Sequence, residues 1–166
     1  MVIFLIGYMS SGKSYLGALA ARALNVPFYD LDTIIEEKYN KRVKDIFIEN
    51  GEEYFRQIEH ETLVALNIYK DSIIATGGGT PCFHDNMNLI SSKGKSVYLQ
   101  VSINELFNRL KLDKNRPLLQ NDLNNLYSLI DSQLNIREPI YLKSDYLISL
   151  DDRSINKLLN LLKTLF

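Results

Sequence analysis

Eight consecutive residues, Gly7-Tyr8-Met9-Ser10-Ser11-Gly12-Lys13-Ser14, decide what this chain can fold into. They read G-x-x-x-x-G-K-S, the pattern of a phosphate-binding loop. A polyphosphate is a dense anion, so backbone N–H groups must wrap it closely. Gly7 and Gly12 permit the turns this requires and keep Cβ atoms out of the path. The flanks agree. Val2-Ile3-Phe4-Leu5-Ile6 is an apolar run suited to a buried parallel strand, and Tyr15 to Leu24 is rich in helix formers. A helix opening at Lys13 would aim its unpaired N–H groups and positive dipole end at the phosphates. Lys13 should then reach the β- and γ-phosphates, with the Ser14 hydroxyl on Mg2+. The plainer alternative is an ordinary glycine turn before a helix. A chance match to the whole pattern in a chain of this length is on the order of one in a hundred.

The 166 residues suffice for one domain with a real core, and a hydrophobic share of 46% excludes a disordered chain. A net charge of -1 argues against a nucleic-acid-binding surface. No apolar run approaches membrane-spanning length. The loop begins at residue 7 with no basic leader before it, so no secretory signal is expected. Cys82 is the single cysteine and cannot form an internal disulfide, which suits a reducing cytoplasm.

Strand and helix patterns alternate along the chain, the signature of an α/β domain with a mostly parallel sheet. Strands are expected at Val2–Ile6, Pro27–Tyr29, Ser72–Ala75, Ser96–Gln100 and Asp145–Ser149. Helices are expected near 13–24, 32–39, 43–49, 52–69, 85–92, 103–111, 124–142 and 153–165. Pro139, inside the seventh of these, should bend or break it.

Further candidates cluster at strand ends. Asp30-Leu31-Asp32 places two acids where α/β ligands bind. Asp32 could instead cap the following helix; beside a nucleotide, one carboxylate near Mg2+ and one on an acceptor hydroxyl is the chemical alternative. Arg56 and Glu59 stand three apart, which alone reads as a surface ion pair. Phe47 and Phe55 flank Arg56 and could wall a pocket in which a guanidinium holds a carboxylate. Gly77-Gly78-Gly79 follows an apolar strand, where bare backbone can approach a ligand closely. Arg109, Lys111, Lys114 and Arg116 precede Pro117-Leu118-Leu119, a charged segment that could be an exposed loop or a lid carrying Arg116 over the phosphates. His60 and His84 have no ligand spacing, and Tyr8 and Met9 read as loop packing.

Six pieces, in this order and spacing, resemble the bacterial shikimate kinases over nearly the whole chain. They are Gly7 to Ser14, Asp30-Leu31-Asp32, Gly51-Glu52-x-x-Phe55-Arg56-x-x-Glu59, Gly77-Gly78-Gly79, Arg116-Pro117-Leu118-Leu119 and Arg137-x-Pro139-x-Tyr141. The resemblance implies a three-layer P-loop fold with a five-stranded parallel sheet in order 2-3-1-4-5. It implies one kinase domain over 1–166, with acceptor-binding helices at about 32–60 and a lid at about 111–122. It implies transfer of the γ-phosphoryl of ATP to the 3-hydroxyl of shikimate. Lys13, Asp32 and Arg116 would be the catalytic set. ATP would be held by Ser10, Ser11, Gly12, Lys13, Ser14, Tyr15, Arg109, Arg116 and Arg153. Shikimate would be held by Asp32, Arg56, Arg137, Gly77, Gly78 and Gly79, with Phe47 and Phe55 beside it. Mg2+ would take Ser14, and Asp30 through water. A cytoplasmic monomer binding no nucleic acid or membrane is the form implied. Ser10 stands where many members have glycine. The alternatives are a sister enzyme such as a gluconate kinase, and a non-catalytic ligand-binding relative. The second should have lost Lys13, Asp32 or a clamp arginine, and this chain keeps all of them.

Overall fold

The computed structural model describes residues 1–68, 70–112, 123–150 and 154–166. Its centre is a five-stranded parallel sheet in the order β2-β3-β1-β4-β5, as the resemblance implied. The strands are β1 (Val2–Ile6), β2 (Phe28–Asp30), β3 (Ser72–Ala75), β4 (Lys95–Gln100) and β5 (Tyr146–Ser149). β1 and β3 are buried along their whole length, as strands covered on both faces must be. The helices are α1 (Lys13–Leu24), α2 (Leu31–Tyr39), α3 (Val43–Ala65), α4 (Asn86–Lys93), α5 (Ile103–Leu110), α6 (Leu123–Tyr141) and α7 (Ile155–Leu165). Among the described residues, no helix is long and apolar enough to cross a membrane.

α1 buries Leu16, Gly17, Ala20 and Ala21, the three-and-four spacing of one helical face. A second, smaller core joins α2 to α3 through Leu31, Ile35, Ile46, Phe55 and Ile58. These two helices therefore hold together beside the sheet, apart from the main core.

The break expected at Gly51 is present and two other details depart from the sequence reading. α3, Val43 to Ala65, is two helical runs joined across Gly51, whose φ of 82° and ψ of 173° are not helical. Only glycine adopts that backbone freely. α3 also stops at Ala65, short of residue 69. Pro139 does not break α6, which continues through it to Tyr141. A proline so near the C-terminus removes one backbone bond, and the next turn still closes with Leu142 N–H on Glu138 O at 2.9 Å. The helix is also pinned from its side, since the Glu138 carboxylate accepts from Tyr98 Oη at 3.0 Å and Gln100 Nε2 at 2.9 Å, both on β4.

β4 runs so close to β1 that a Cβ on Gly94 would sit inside the carbonyl oxygen of Val2. Backbone cannot yield there as a side-chain tip can. Gly94→Ala is therefore expected to cost about 2–3 kcal/mol, read as a lower urea midpoint with an unchanged slope.

Candidate active site

The sheet register assembles the site. Leu5 pairs with Ala75 and Ala75 with Asp30, so β3 and β2 end on the rung of Leu5, one residue before β1 ends. Two residues beyond that rung come Gly7, Gly77 and Asp32. Three separate motifs of the sequence thus meet at one sheet edge, outside the carboxyl ends of the strands.

The phosphate loop closes around Lys13. Its buried ammonium donates to the carbonyls of Gly7 and Tyr8, both at 2.8 Å. Gly12, with φ of 104°, turns the chain into α1. Ser10 has φ of 61°, the left-handed region that favours glycine. A serine in that conformation costs on the order of 1 kcal/mol. Ser11 is buried, and Tyr15 is exposed at the mouth of the loop.

Asp32 is not the helix cap, the plainer alternative that its position allowed. Asp30 is the cap: its Oδ1 accepts from Asp32 N–H at 3.0 Å, because α2 begins at Leu31. Its other oxygen, Oδ2, accepts from Ser14 Oγ at 2.5 Å. Asp30 therefore ties α2 to the phosphate loop and sets two hard oxygens side by side. The Asp32 side chain is left to face the space between the loop and Gly77-Gly78.

Arg56 is not the surface residue that its pairing with Glu59 alone suggests. It is 8% exposed and Glu59 is fully buried. Arg56 Nη1 donates to Glu59 Oε2 at 2.8 Å, and Nε and Nη2 donate to Glu52 Oε1 at 3.2 and 3.0 Å. Three of its five N–H groups are thereby engaged, and two are left for a ligand. Three rings surround the guanidinium: Phe83 at 4.4 Å, Phe55 at 5.2 Å and Phe47 at 5.9 Å. Glu59 Oε1 in turn accepts from Thr80 Oγ1 at 2.5 Å. Sequence reasoning found Phe47 and Phe55 but missed Phe83 and Thr80, which follow the glycines with no periodic signal.

The three glycines owe their identity to protein neighbours. A Cβ on Gly79 would stand 2.5 Å from Arg56 Nη2, one on Gly77 2.8 Å from Glu59 Oε1, and one on Gly78 3.0 Å from Met9 N. None of the three has positive φ. Any side chain here would push apart the arginine, its counter-ion or the phosphate loop.

Arg137 lies on α6 over the Tyr8 ring, 5.7 Å from its centroid. Arg109, expected to face adenine, is buried. It donates to Ser10 O and Ser11 O at 3.2 Å and to Leu150 O at 2.9 Å, with Nε on Glu105 at 2.6 Å. It thus braces the back of the phosphate loop against β5. Arg116, Arg153 and most of the expected lid fall outside the described residues.

Two cavities open at this edge. One, about 280 Å³, is lined by Ser10, Gly12, Lys13, Ser14 and Tyr15 of the loop; the other, about 290 Å³, by Arg56, Arg137, Phe47 and Phe55. They share Met9, Asp32, Gly77 and Gly78. One pocket offers cationic and N–H groups for phosphates. The other offers two arginines in aromatic surroundings, apt for a small carboxylate. Asp32 stands where they meet.

Comparison with known proteins supports the same reading. The family described as shikimate kinase matches residues 9–165. A shikimate kinase from Bacteroides thetaiotaomicron is 43% identical over 152 residues, covering 90% of this chain and 87% of the relative. The crystal structure of shikimate kinase from that organism superposes with a TM-score of 0.90 at 40% identity, covering 98% of both chains. Shikimate kinase from Acinetobacter baumannii, solved in complex with shikimate, gives a TM-score of 0.85 at 33% identity, covering 98% of this chain and 93% of that one.

Cys82 sits half-buried beside this cluster. Burial pushes its thiol up to about 11, against a smaller opposing pull from Arg137 and Arg56. At pH 8 the thiolate is therefore scarce, and a disulfide reagent should react about a hundredfold more slowly with native protein than with urea-unfolded chain. The native rate should climb as pH approaches 11. Equal rates in the two states would contradict this environment.

Proposed function

The chain belongs to the shikimate kinase family, and from that premise we propose how its residues perform the reaction. It is an ATP-dependent kinase that phosphorylates a hydroxyl of shikimate. The observation that carries the assignment of residues is the shared wall of the two cavities at Asp32, Gly77 and Gly78. A phosphoryl group held by the loop faces a hydroxyl held by Asp32, with no element between them among the described residues.

In this reading Lys13 leaves the carbonyls of Gly7 and Tyr8 for the β- and γ-phosphates, while Ser10 to Tyr15 cradle the rest. Arg56 and Arg137 hold the shikimate carboxylate from two sides, and the rings of Phe47 and Phe55 flank its carbon ring. That grip turns the 3-hydroxyl toward the γ-phosphorus. The oxygen–phosphorus bond to the hydroxyl forms as the bond to the β-phosphate oxygen breaks, giving shikimate 3-phosphate and ADP. The hydroxyl proton passes to Asp32. In a loose transition state that proton leaves late, so Asp32 orients the hydroxyl more than it drives deprotonation. Most of the acceleration then comes from positioning and charge stabilisation. Arg116, from the lid segment at about 111–122, adds positive charge at the transferring group, Arg153 serves the nucleotide side, and Arg109 supports it from behind through the carbonyls of Ser10 and Ser11.

Ser14 Oγ and Asp30 Oδ2, 2.5 Å apart, fit Mg2+, a hard cation that takes one or two protein oxygens and fills its shell with water and phosphate. Ser14 would bind it directly and Asp30 through water. Bound there, it would neutralise phosphate charge. The same reading makes 1–166 one kinase domain, acting as a monomer in the cytoplasm, with α2 and the adjoining part of α3 (about 32–60) on the acceptor side.

ADP release from MgATP tests this directly. Shikimate should support turnover, gluconate and no acceptor should not, and Lys13→Ala should abolish it. Turnover with gluconate would overturn the pocket assignment, and none with any acceptor would favour a non-catalytic role. Arg137→Ala should raise the shikimate KM by about 10- to 100-fold, the usual cost of removing a charge-assisted pair, and leave the ATP KM nearly intact. An unchanged shikimate KM would remove Arg137 from the clamp.

A further inference from the structure

The two arginines are held in opposite ways. Arg56 is fixed by Glu52 and Glu59, so its charge is matched twice over. Among the described residues no carboxylate pairs with Arg137. The positive charge that an incoming carboxylate meets is therefore Arg137's. An ion pair that steadied Arg137 would cancel that charge. A neutral partner that spends none of its N–H donors would not.

Tyr8 is such a partner. It is 2% exposed, and its ring lies 5.7 Å from the guanidinium carbon of Arg137, within cation–π range. The ring is itself anchored, since Tyr8 Oη donates to Gln133 Oε1 at 2.8 Å. Gln133, Arg137 and Tyr141 follow at four-residue intervals on α6, so they share a face. Gln133 meets the Tyr8 hydroxyl, Arg137 meets the ring, and Tyr141 Oη donates to Gly78 O at 2.5 Å. The Tyr8 backbone meanwhile accepts from Lys13.

We propose that Tyr8 is a positioning residue for the acceptor: its ring seats Arg137, fixing the carboxylate clamp to the phosphate loop that holds the donor. The inference rests on the assignment of Arg137 to the shikimate carboxylate. Its consequence is that the distance from the acceptor carboxylate to the transferred phosphoryl is set in part through the Tyr8 ring, with the Tyr141 hydroxyl, hydrogen-bonded to Arg137, as a second support. The Arg137 end of the pocket moves with the loop.

The test replaces Tyr8 by phenylalanine and by progressively fluorinated phenylalanines, which keep the ring's shape and drain its negative face. Tyr8→Leu, which lacks the ring, should raise the shikimate KM about tenfold with the ATP KM within about twofold. Tyr8→Phe should recover most of that loss, and each added fluorine should weaken shikimate binding further. In an Arg137→Ala background the fluorine series should go flat. The series is the deciding measurement if Tyr8→Leu does not fold, because fluorination leaves packing intact. A series flat in the otherwise native protein, while Arg137→Ala still raises the shikimate KM, would overturn the role of Tyr8 alone. A fluorine series that persists without Arg137, or an ATP KM that rises in parallel with the shikimate KM, would overturn it too. An Arg137→Ala variant with native shikimate KM would remove the clamp and the proposal together.

Discussion

An ammonium group bonded to two carbonyls of its own loop is the point on which the rest of this protein depends. Lys13 reaches back to Gly7 and Tyr8 and holds the phosphate loop in its curved form. Several other parts of the site are tied to that loop. Ser14 ties it to Asp30 and so to the helix behind Asp32. Arg109 braces it from the back through Ser10 and Ser11. Met9 limits how close Gly78 can come. A loop built to receive phosphates is thus also the frame from which the acceptor pocket is measured. Phosphoryl transfer gains most from such framing, because its catalysis is largely positional.

The acceptor side uses a costlier device. Burying Arg56 and Glu59 takes two charges from water, and the pair is tolerated because hydrogen bonds from Thr80 and to Glu52 complete it. Removing one partner of such a pair typically costs about 3–5 kcal/mol. The stacked rings of Phe47, Phe55 and Phe83 exclude water and narrow the guanidinium's choices. Gly77 and Gly79 then become intelligible as clearance for this cluster, and Gly78 as clearance for the phosphate loop. Their spare backbone is a consequence of crowding, and a ligand can exploit it.

How far the sequence could be read follows from what kind of signal each feature leaves. The loop and the strand that precedes it were legible because phosphate binding demands fixed residue types at fixed spacing, whereas the order of the sheet came only through the family resemblance. The burial of Arg56 and Glu59 was not, since three-residue spacing looks the same on a surface helix and in a core. The capping role moved from Asp32 to Asp30 because α2 starts one residue earlier than its pattern suggests, and a cap is defined by that single residue. Pro139 was overread: its penalty falls in a final turn with little left to lose. Tyr8 left no signal at all, because an aromatic inside a loop gains its meaning only from α6, more than a hundred residues away.

The central claim is that loop and pocket place donor phosphorus and acceptor oxygen in line, so transfer occurs in one displacement. ATP made chiral at the γ-phosphorus with oxygen isotopes tests it most directly. The configuration at phosphorus is read in the shikimate 3-phosphate formed. The account requires inversion, with the phosphoryl group on the 3-hydroxyl. Retention would mean two displacements and a phosphorylated protein group between them, and phosphate on another hydroxyl would mean that the pocket seats shikimate differently; either result would contradict it.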